Sequence, residues 1–174
     1  MNGGVICDVA SDSAHLLPNI MMPKEKDYRL ILEDENVFLK KMLKKSKVLK
    51  NESYNAQFAY MMSKKFVQWY SKNCAYKYMD TKGIRVFSVS PGFVKTPMTE
   101  KEQGVATETM LSYSGLKRGA EPEEIAFLIT SLADDRCGYL MGADVLCDGG
   151  CVNNGYFIKN SRVKYDGHSS QENW

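Results

Sequence analysis

Two short apolar runs separated by a long helical pattern constrain this chain more than any other feature. Gly4-Val5-Ile6-Cys7-Asp8-Val9-Ala10 stops at the polar cluster Ser11-Asp12-Ser13 and reads as a buried strand. Ile84-Arg85-Val86-Phe87-Ser88-Val89-Ser90 is a β-branched and aromatic run closed by Pro91-Gly92, a second strand ending in a sharp turn. Between them, from about residue 57 to 78, Phe58, Met61, Met62, Phe66, Trp69 and Tyr70 form a wide apolar stripe at helical spacing, stopped by Thr81-Lys82-Gly83. A stripe that broad faces more than one neighbour. Glu121-Pro122-Glu123-Glu124 opens a further helix through Leu132, with proline in the first turn and acids suited to the dipole. Ala143-Asp144-Val145-Leu146-Cys147 is a last strand before the turn Asp148-Gly149-Gly150. The alternation implies an α/β layer with three parallel strands near residues 4 to 10, 84 to 90 and 143 to 147. The crevice of such sheets lies beyond the strands' carboxyl ends, where Ser11, Pro91 and Asp148 fall. A central strand needs neighbours on both edges, so the first strand is expected to show an unpaired far edge.

Composition narrows the classes. The 174 residues are 44% hydrophobic, enough for one sizeable core, and 23 Lys+Arg against 21 Asp+Glu leave +2, too near neutral for a polyanion-binding surface. No nucleic-acid role is expected. The apolar stretches are short and Met1-Asn2-Gly3-Gly4 has neither a charged nor a long apolar segment, so neither secretion nor membrane spanning is expected. Cys7, Cys74, Cys137, Cys147 and Cys151 are odd in number and contain no C-x-x-C, and the only histidines are His15 and His168. Free thiols in a reducing compartment, a cytoplasmic location and no metal are the expectation. Six lysines between Lys40 and Lys50 have no acid among them. Phe38, Leu39, Met42, Leu43 and Leu49 recur near helical spacing opposite Lys40, Lys44 and Lys47, which reads as a helix with a solvated lysine face. Binding to an anionic surface is the lesser alternative. Residues 99 to 115 read as a loosely patterned, mobile helical region, and 151 to 174 as a polar tail after a domain over 1 to 150.

Tyr60 and Lys64 stand four apart, so on a helix they leave one face a turn from each other. An adjacent ammonium favours a deprotonated phenol, which lets a tyrosine move a proton to or from a substrate oxygen. Tyr78 with Lys82 and Tyr113 with Lys117 share that spacing, so spacing alone does not choose. Context does: only Tyr60 lies between a strand ending in Ser11 and a helix leading to Ser90-Pro91-Gly92-Phe93-Val94-Lys95-Thr96-Pro97. In that order these segments resemble the carboxyl-terminal half or more of the short-chain dehydrogenase/reductases. Gly119-Ala120-Glu121-Pro122-Glu123-Glu124-Ile125-Ala126 and Gly142 to Gly150 look like the family's later helix start and terminal strand. The resemblance implies a partial Rossmann-like, doubly wound parallel sheet lacking its amino-terminal nucleotide-binding strands. It implies hydride transfer between NAD or NADP and a secondary alcohol or ketone, steroid-like as a guess. Tyr60 would be the general acid/base, Lys64 would hold the nicotinamide ribose, and Ser11 would hydrogen-bond the substrate oxygen, with Ser13 as second candidate. Pro91-Gly92 would let the backbone approach the nicotinamide, whose carboxamide the Val94 backbone and the Thr96 side chain would bind. It also implies a homo-oligomer through the Tyr60-bearing helix. Taken singly, Ser11 reads better as a capping or turn serine, Tyr60 as a packed aromatic, Lys64 as a solvated cation and Pro91-Gly92 as a plain turn; taken together they favour the site.

Two departures from the family pattern stand out. Ser11 and Tyr60 are far apart for the family, so about 15 to 53 is a helical insertion, and Val9-Ala10-Ser11-Asp12-Ser13-Ala14-His15-Leu16 is similar to a bacterial 3α-hydroxysteroid dehydrogenase/carbonyl reductase subgroup. No G-x-G-x-x-G turn occurs, nor the family's Asn-Asn-Ala-Gly stretch, so the adenosine and pyrophosphate cradle and the family's catalytic asparagine are missing from these residues. The opposing expectation is an inactive fragment or interaction module, with Phe58, Met62, Phe66 and Trp69 meeting a partner.

Overall fold

A computed structural model describes residues 3–16, 20–47, 51–97, 99 and 105–154. Three parallel strands, β1 (Gly4–Val9), β2 (Ile84–Pro91) and β3 (Asp144–Cys147), lie side by side in the order β1-β2-β3. Gly4 aligns with Ile84 and Val9 with Val89, while Ser88 aligns with Asp144 and Pro91 with Cys147. Central β2 is the most buried, with Val86, Phe87, Ser88, Val89 and Ser90 at 0 or 1% exposure. Among the described residues β1 pairs with β2 alone, so its other edge is open.

Between the first two strands come a 3-10 turn (Asp12–His15), α1 (Glu25–Arg29), a 3-10 turn (Leu30–Leu32), α2 (Glu35–Ser46) and α3 (Glu52–Lys82). After β2 come α4 (Val105–Tyr113) and α5 (Pro122–Ala133). Each end has a local cause. The Asp34 carboxylate accepts from the backbone of Asn36 and Val37, and the Asn51 side chain accepts from Ser53 and Tyr54, satisfying first-turn amides. Helix α3 closes where Gly83 turns left-handed at φ 62° and its amide reaches the Met79 carbonyl at 2.9 Å. It therefore runs about a turn beyond the sequence expectation at each end, because its caps lie outside the apolar stripe.

The two faces of β2 serve different helices. On one, Arg85 donates to the carbonyls of Leu132 at 2.9 Å, Ala133 at 3.1 Å and Asp134 at 3.2 Å, closing the carboxyl end of α5. On the other, α3 packs with Gln68, Ser71, Cys74 and Ala75 buried. The aromatic side of α3 meets the chain's own insertion. Met22 packs with Phe58 and Met62, Tyr28 lies 5.7 Å from Phe66 and 5.6 Å from Trp69, and Phe38 lies 5.0 Å from Phe66. The stripe expected to await a partner is thus covered internally. In α2 Phe38 is buried and Met42 packs against the cluster, whereas Leu39 and Leu43 are exposed, so its packed face is narrower than the sequence suggests; Leu49 lies outside the described residues. Lys41 and Lys45 turn inward to Asp27 at 3.8 and 3.3 Å.

All five cysteines are unpaired thiols. Among the described residues no helix is long and apolar enough to cross a membrane, and no group of three metal-ligating side chains is assembled. The tail is described only to Asn154, and most of the 99 to 104 stretch lies outside the described residues.

Candidate functional site

Strand β1 runs directly into Ser11, which is 8% exposed. Its Oγ accepts from the Ser13 amide at 3.2 Å and donates to Asp12 Oδ1 at 3.1 Å, so the hydroxyl caps the 3-10 turn. Asp12 is 4% exposed, and its Oδ2, like the Ser13 hydroxyl, is buried with no hydrogen-bond partner among the described residues. Burial first, then the nearby Asp148 charge, outweigh the hydrogen bonds it accepts and push the Asp12 carboxyl up to about 6. Asp12, Phe93, Ser114, Arg118 and Asp148 line a narrow crevice beyond the strand ends. Arg118 is engaged there by Glu124, with contacts of 2.6 and 2.7 Å.

Tyr60 is 49% exposed near the start of α3, and Lys64 Nζ sits 5.7 Å from the centre of its ring. The ammonium donates to the Val9 carbonyl at 3.0 Å. Because the Ala10 amide donates to Val89, strand alternation turns the Val9 carbonyl away from β2, toward the open edge of β1. Tyr60 and Lys64 therefore meet at the carboxyl end of β1, two residues before Ser11.

The turn after β2 is shaped by β3. Gly92 donates to the Cys147 carbonyl at 3.0 Å, and a Cβ at position 92 would lie 2.7 Å from Asp148 Cα. The close approach that needs this glycine is thus made to Asp148. Val94 forms a parallel bridge with Ala120, and its carbonyl accepts from the Thr99 hydroxyl at 2.6 Å. The Thr96 hydroxyl lies 3.1 Å from that of Thr99 and accepts from the Thr99 amide at 3.3 Å. Pro91 is the last residue of β2, paired with Cys147, and Gly92, Val94 and Thr96 follow it, with the Thr96 side chain tied into a local cap.

Sequence reasoning missed a second polar assembly on the α3 face of the sheet. Asp144 Oδ1 accepts from the Ser88 and Ser90 hydroxyls at 2.6 and 2.8 Å. Its Oδ2 accepts from Gln68 Nε2 at 2.9 Å and lies 3.2 Å from His15 Nε2. Gln68 Nε2 is also 2.7 Å from that same imidazole nitrogen, which either donates to Asp144 or accepts from Gln68, according to tautomer. Burial works to raise the Asp144 carboxyl, but hydrogen bonds from His15, Ser88 and Ser90 outweigh it and hold it below its ordinary value. The signal was Ser88-x-Ser90: two hydroxyls on one face of an otherwise apolar buried strand call for a polar partner. For Asp12 it was an acid flanked by Ser11 and Ser13 at a strand's carboxyl end.

A family model described as enoyl-(acyl carrier protein) reductase matches residues 40–152, more than half of the chain. The 3-oxoacyl-(acyl-carrier-protein) reductase FabG of Thermotoga maritima is 44% identical over 96 residues, covering 55% of this chain and 39% of that protein. A 3-alpha-(or 20-beta)-hydroxysteroid dehydrogenase of Mycobacterium tuberculosis is 44% identical over 70 residues, 40% of this chain and 25% of that one. The chain thus spans well under half the length of these relatives. Among solved structures, a short-chain dehydrogenase/reductase from Serratia marcescens superposes with TM-score 0.58 at 24% identity, covering 87% of this chain and 47% of the other. The angucycline C-6 ketoreductase LanV with bound NADP gives TM-score 0.59 at 20% identity, with 87% and 45% covered. These two similarities concern the fold.

Proposed function

The chain belongs to the short-chain dehydrogenase/reductase family, and from that premise we propose that it carries the substrate side of a hydride-transfer site for a secondary alcohol or ketone. The observation that carries this reading is the meeting of Tyr60 and Lys64 at the end of the strand that leads into Ser11. The Tyr60 hydroxyl gives its proton to the substrate oxygen in reduction and takes it back in oxidation. Lys64 places a positive charge 5.7 Å from the centre of that ring. Ser11 donates to the substrate oxygen when its Oγ turns from its contact with Asp12. A nicotinamide dinucleotide, NAD or NADP, supplies or accepts the hydride when bound.

The residues present fit one half of that cofactor. Lys64, which reaches the open edge of β1, would hold the nicotinamide ribose, and the Val94 backbone and Thr96 hydroxyl would hold the carboxamide once Thr96 releases Thr99. Nothing among the described residues forms a glycine-rich cradle for the pyrophosphate, so no step is assigned to that half. The named activities of the matched relatives, a 3-oxoacyl reductase and a hydroxysteroid dehydrogenase, support an alcohol or carbonyl substrate, with a steroid-like skeleton as the finer reading. Assembly of copies through α3 would use a side that the insertion leaves open, where Tyr76 is 74% exposed.

The test is titration of the chain with NADH and NADPH, following nicotinamide fluorescence and melting temperature together. Saturable binding is expected, with turnover that Tyr60→Phe lowers by about 10²- to 10⁴-fold while substrate still binds. Near-normal turnover in that variant would remove Tyr60 from the proton transfer. A folded chain that binds neither nucleotide would favour the second reading, a catalytically inactive fragment, which the engaged hydroxyls of Ser11 and Thr96 support.

A further inference from the structure

Helix α2 sorts its lysines onto two sides. At about 100° per residue, Phe38, Lys41, Met42 and Lys45 fall together on the inward side. There Asp27 holds Lys41 at 3.8 Å and Lys45 at 3.3 Å, and Met42 packs against the cluster of Met22, Phe58 and Met62. Leu39, Lys40, Leu43 and Lys44 fall on the outward side, and Lys47 continues it where the helix ends. Leu39 and Leu43 are 46% and 57% exposed. Lys40, Lys44 and Lys47 are exposed, with no ion-pair partner among the described residues. The acids Glu33, Asp34 and Glu35 are gathered at the amino end, where Asp34 caps the first turn, so nothing from Val37 to Lys47 is acidic. We propose that this outward face docks on the surface of an anionic lipid bilayer.

Sequence spacing alone sets the leucines opposite these lysines, but the fold leaves both on the uncovered side. Two leucines one turn apart gain from leaving water, and three ammonium groups gain from meeting anions. A bilayer interface offers both at one depth: the acyl boundary takes the leucines, lipid phosphates meet the ammonium groups, and the lysine stems lie between. Among the described residues no helix is long and apolar enough to cross a membrane, so α2 lies along the surface.

Other occupants fit this face less well. A second copy meeting it across a two-fold axis would set three lysines against three, with no acid to receive them. A protein partner needs about 800 Å² from each side. A 12-residue helix is about 18 Å long and about 10 Å wide, and one side of it supplies only a fraction of that area. A lipid surface needs no matched counterpart, and docking on it through one short helix is weak and reversible.

The test is co-sedimentation of the 174-residue chain with phosphatidylcholine vesicles in which about a third of the lipid is phosphatidylglycerol, at low salt. Saturable binding is expected, at least about tenfold weaker on phosphatidylcholine alone or in about 0.5 M salt. Changing Lys40, Lys44 and Lys47 together to Gln should weaken it by about 100-fold, and changing all three to Arg should preserve it. Leu39→Ser with Leu43→Ser should weaken it by about tenfold. All five side chains are exposed, so each variant should keep the parent's melting temperature closely. Equal binding to neutral and anionic vesicles, parent-like binding by the glutamine variant, or no binding by the folded chain at low salt would each overturn the proposal. So would parent-like binding by the serine variant, which would reduce the face to adsorption by charge. A lipid-free dimer lost in the serine variant would assign the leucines to a second copy instead. Nicotinamide binding plays no part in the assay, so failure here leaves the hydride-transfer reading as it stands.

Discussion

Asp12 and Asp144 are both carboxylates drawn away from water near the ends of one parallel sheet, and they settle into opposite states. Four side chains surround Asp144, with the Ser88 and Ser90 hydroxyls at 2.6 and 2.8 Å, and its carboxyl is held below the ordinary range. Asp12 has the Ser11 hydroxyl on one oxygen and no hydrogen-bond partner among the described residues on the other, and its carboxyl rises to about 6. Burial is the largest influence on both and raises both. The number of donors decides which way each goes. A satisfied carboxylate ties β2, β3 and α3 together; an unsatisfied one costs stability and persists at the rim of a crevice, beside the serine proposed to meet the substrate oxygen.

The largest effect is expected at the satisfied site. Asp144→Ala leaves the fully buried hydroxyls of Ser88 and Ser90 without their acceptor, and should cost about 3 kcal/mol in urea unfolding at pH 7. A loss under about 1 kcal/mol would show that water replaces the carboxylate freely. Because the folded carboxyl is depressed, its stabilisation is present above the unfolded value of 3.8 and is lost as pH falls through the folded value. Asp12 has the reverse sign. Its folded carboxyl keeps a proton that the unfolded chain releases from 3.8 upward, so stability falls between pH 4 and about 6 and stays low above it. Two pH units correspond to roughly 3 kcal/mol at most. Asp12→Asn, which still accepts from Ser11, should therefore stabilise the chain by about 1–2 kcal/mol at pH 8 and by little at pH 4, read from urea midpoints at both pH values. Equal gains at the two would mean that charge is not the cause.

The same contrast separates what was legible in the sequence from what was not. Strands β1, β2 and β3 followed from apolar runs bounded by glycine, proline and serine, and the shared face of Tyr60 and Lys64 from four-residue spacing. These are local signals. The Asp144 assembly joins residues 53 to 129 positions apart in its contacts with His15, so no window along the chain contains it. The apolar stripe of α3 was visible, but stripe alone does not name its partner: Met22, Tyr28 and Phe38 cover it from the insertion. Lys41 and Lys45 looked like part of a solvated run until folding placed Asp27 beside them. Asp12 could be read as an acid between two serines, but not as one whose Oδ2 is buried alone.

The smallest and sharpest test joins the two halves of the comparison. Ser11→Ala removes both the cap on the 3-10 turn and the donor to Asp12 Oδ1. The cap is worth about 1 kcal/mol, so a modest loss of stability is expected whatever the serine does in chemistry. The donor favours the carboxylate, so its removal should move the Asp12 carboxyl above its value of about 6, observable as a later titration of its side-chain carbon in NMR. The region of declining stability would then extend to higher pH, as the sign of the Asp12 shift requires. A drop toward the ordinary value would mean that the smaller side chain admits water, and that burial rather than donor number sets this carboxyl. Asp144, which Ser11 does not touch, should titrate unchanged in the same spectra, so that Asp12 alone reports the lost donor.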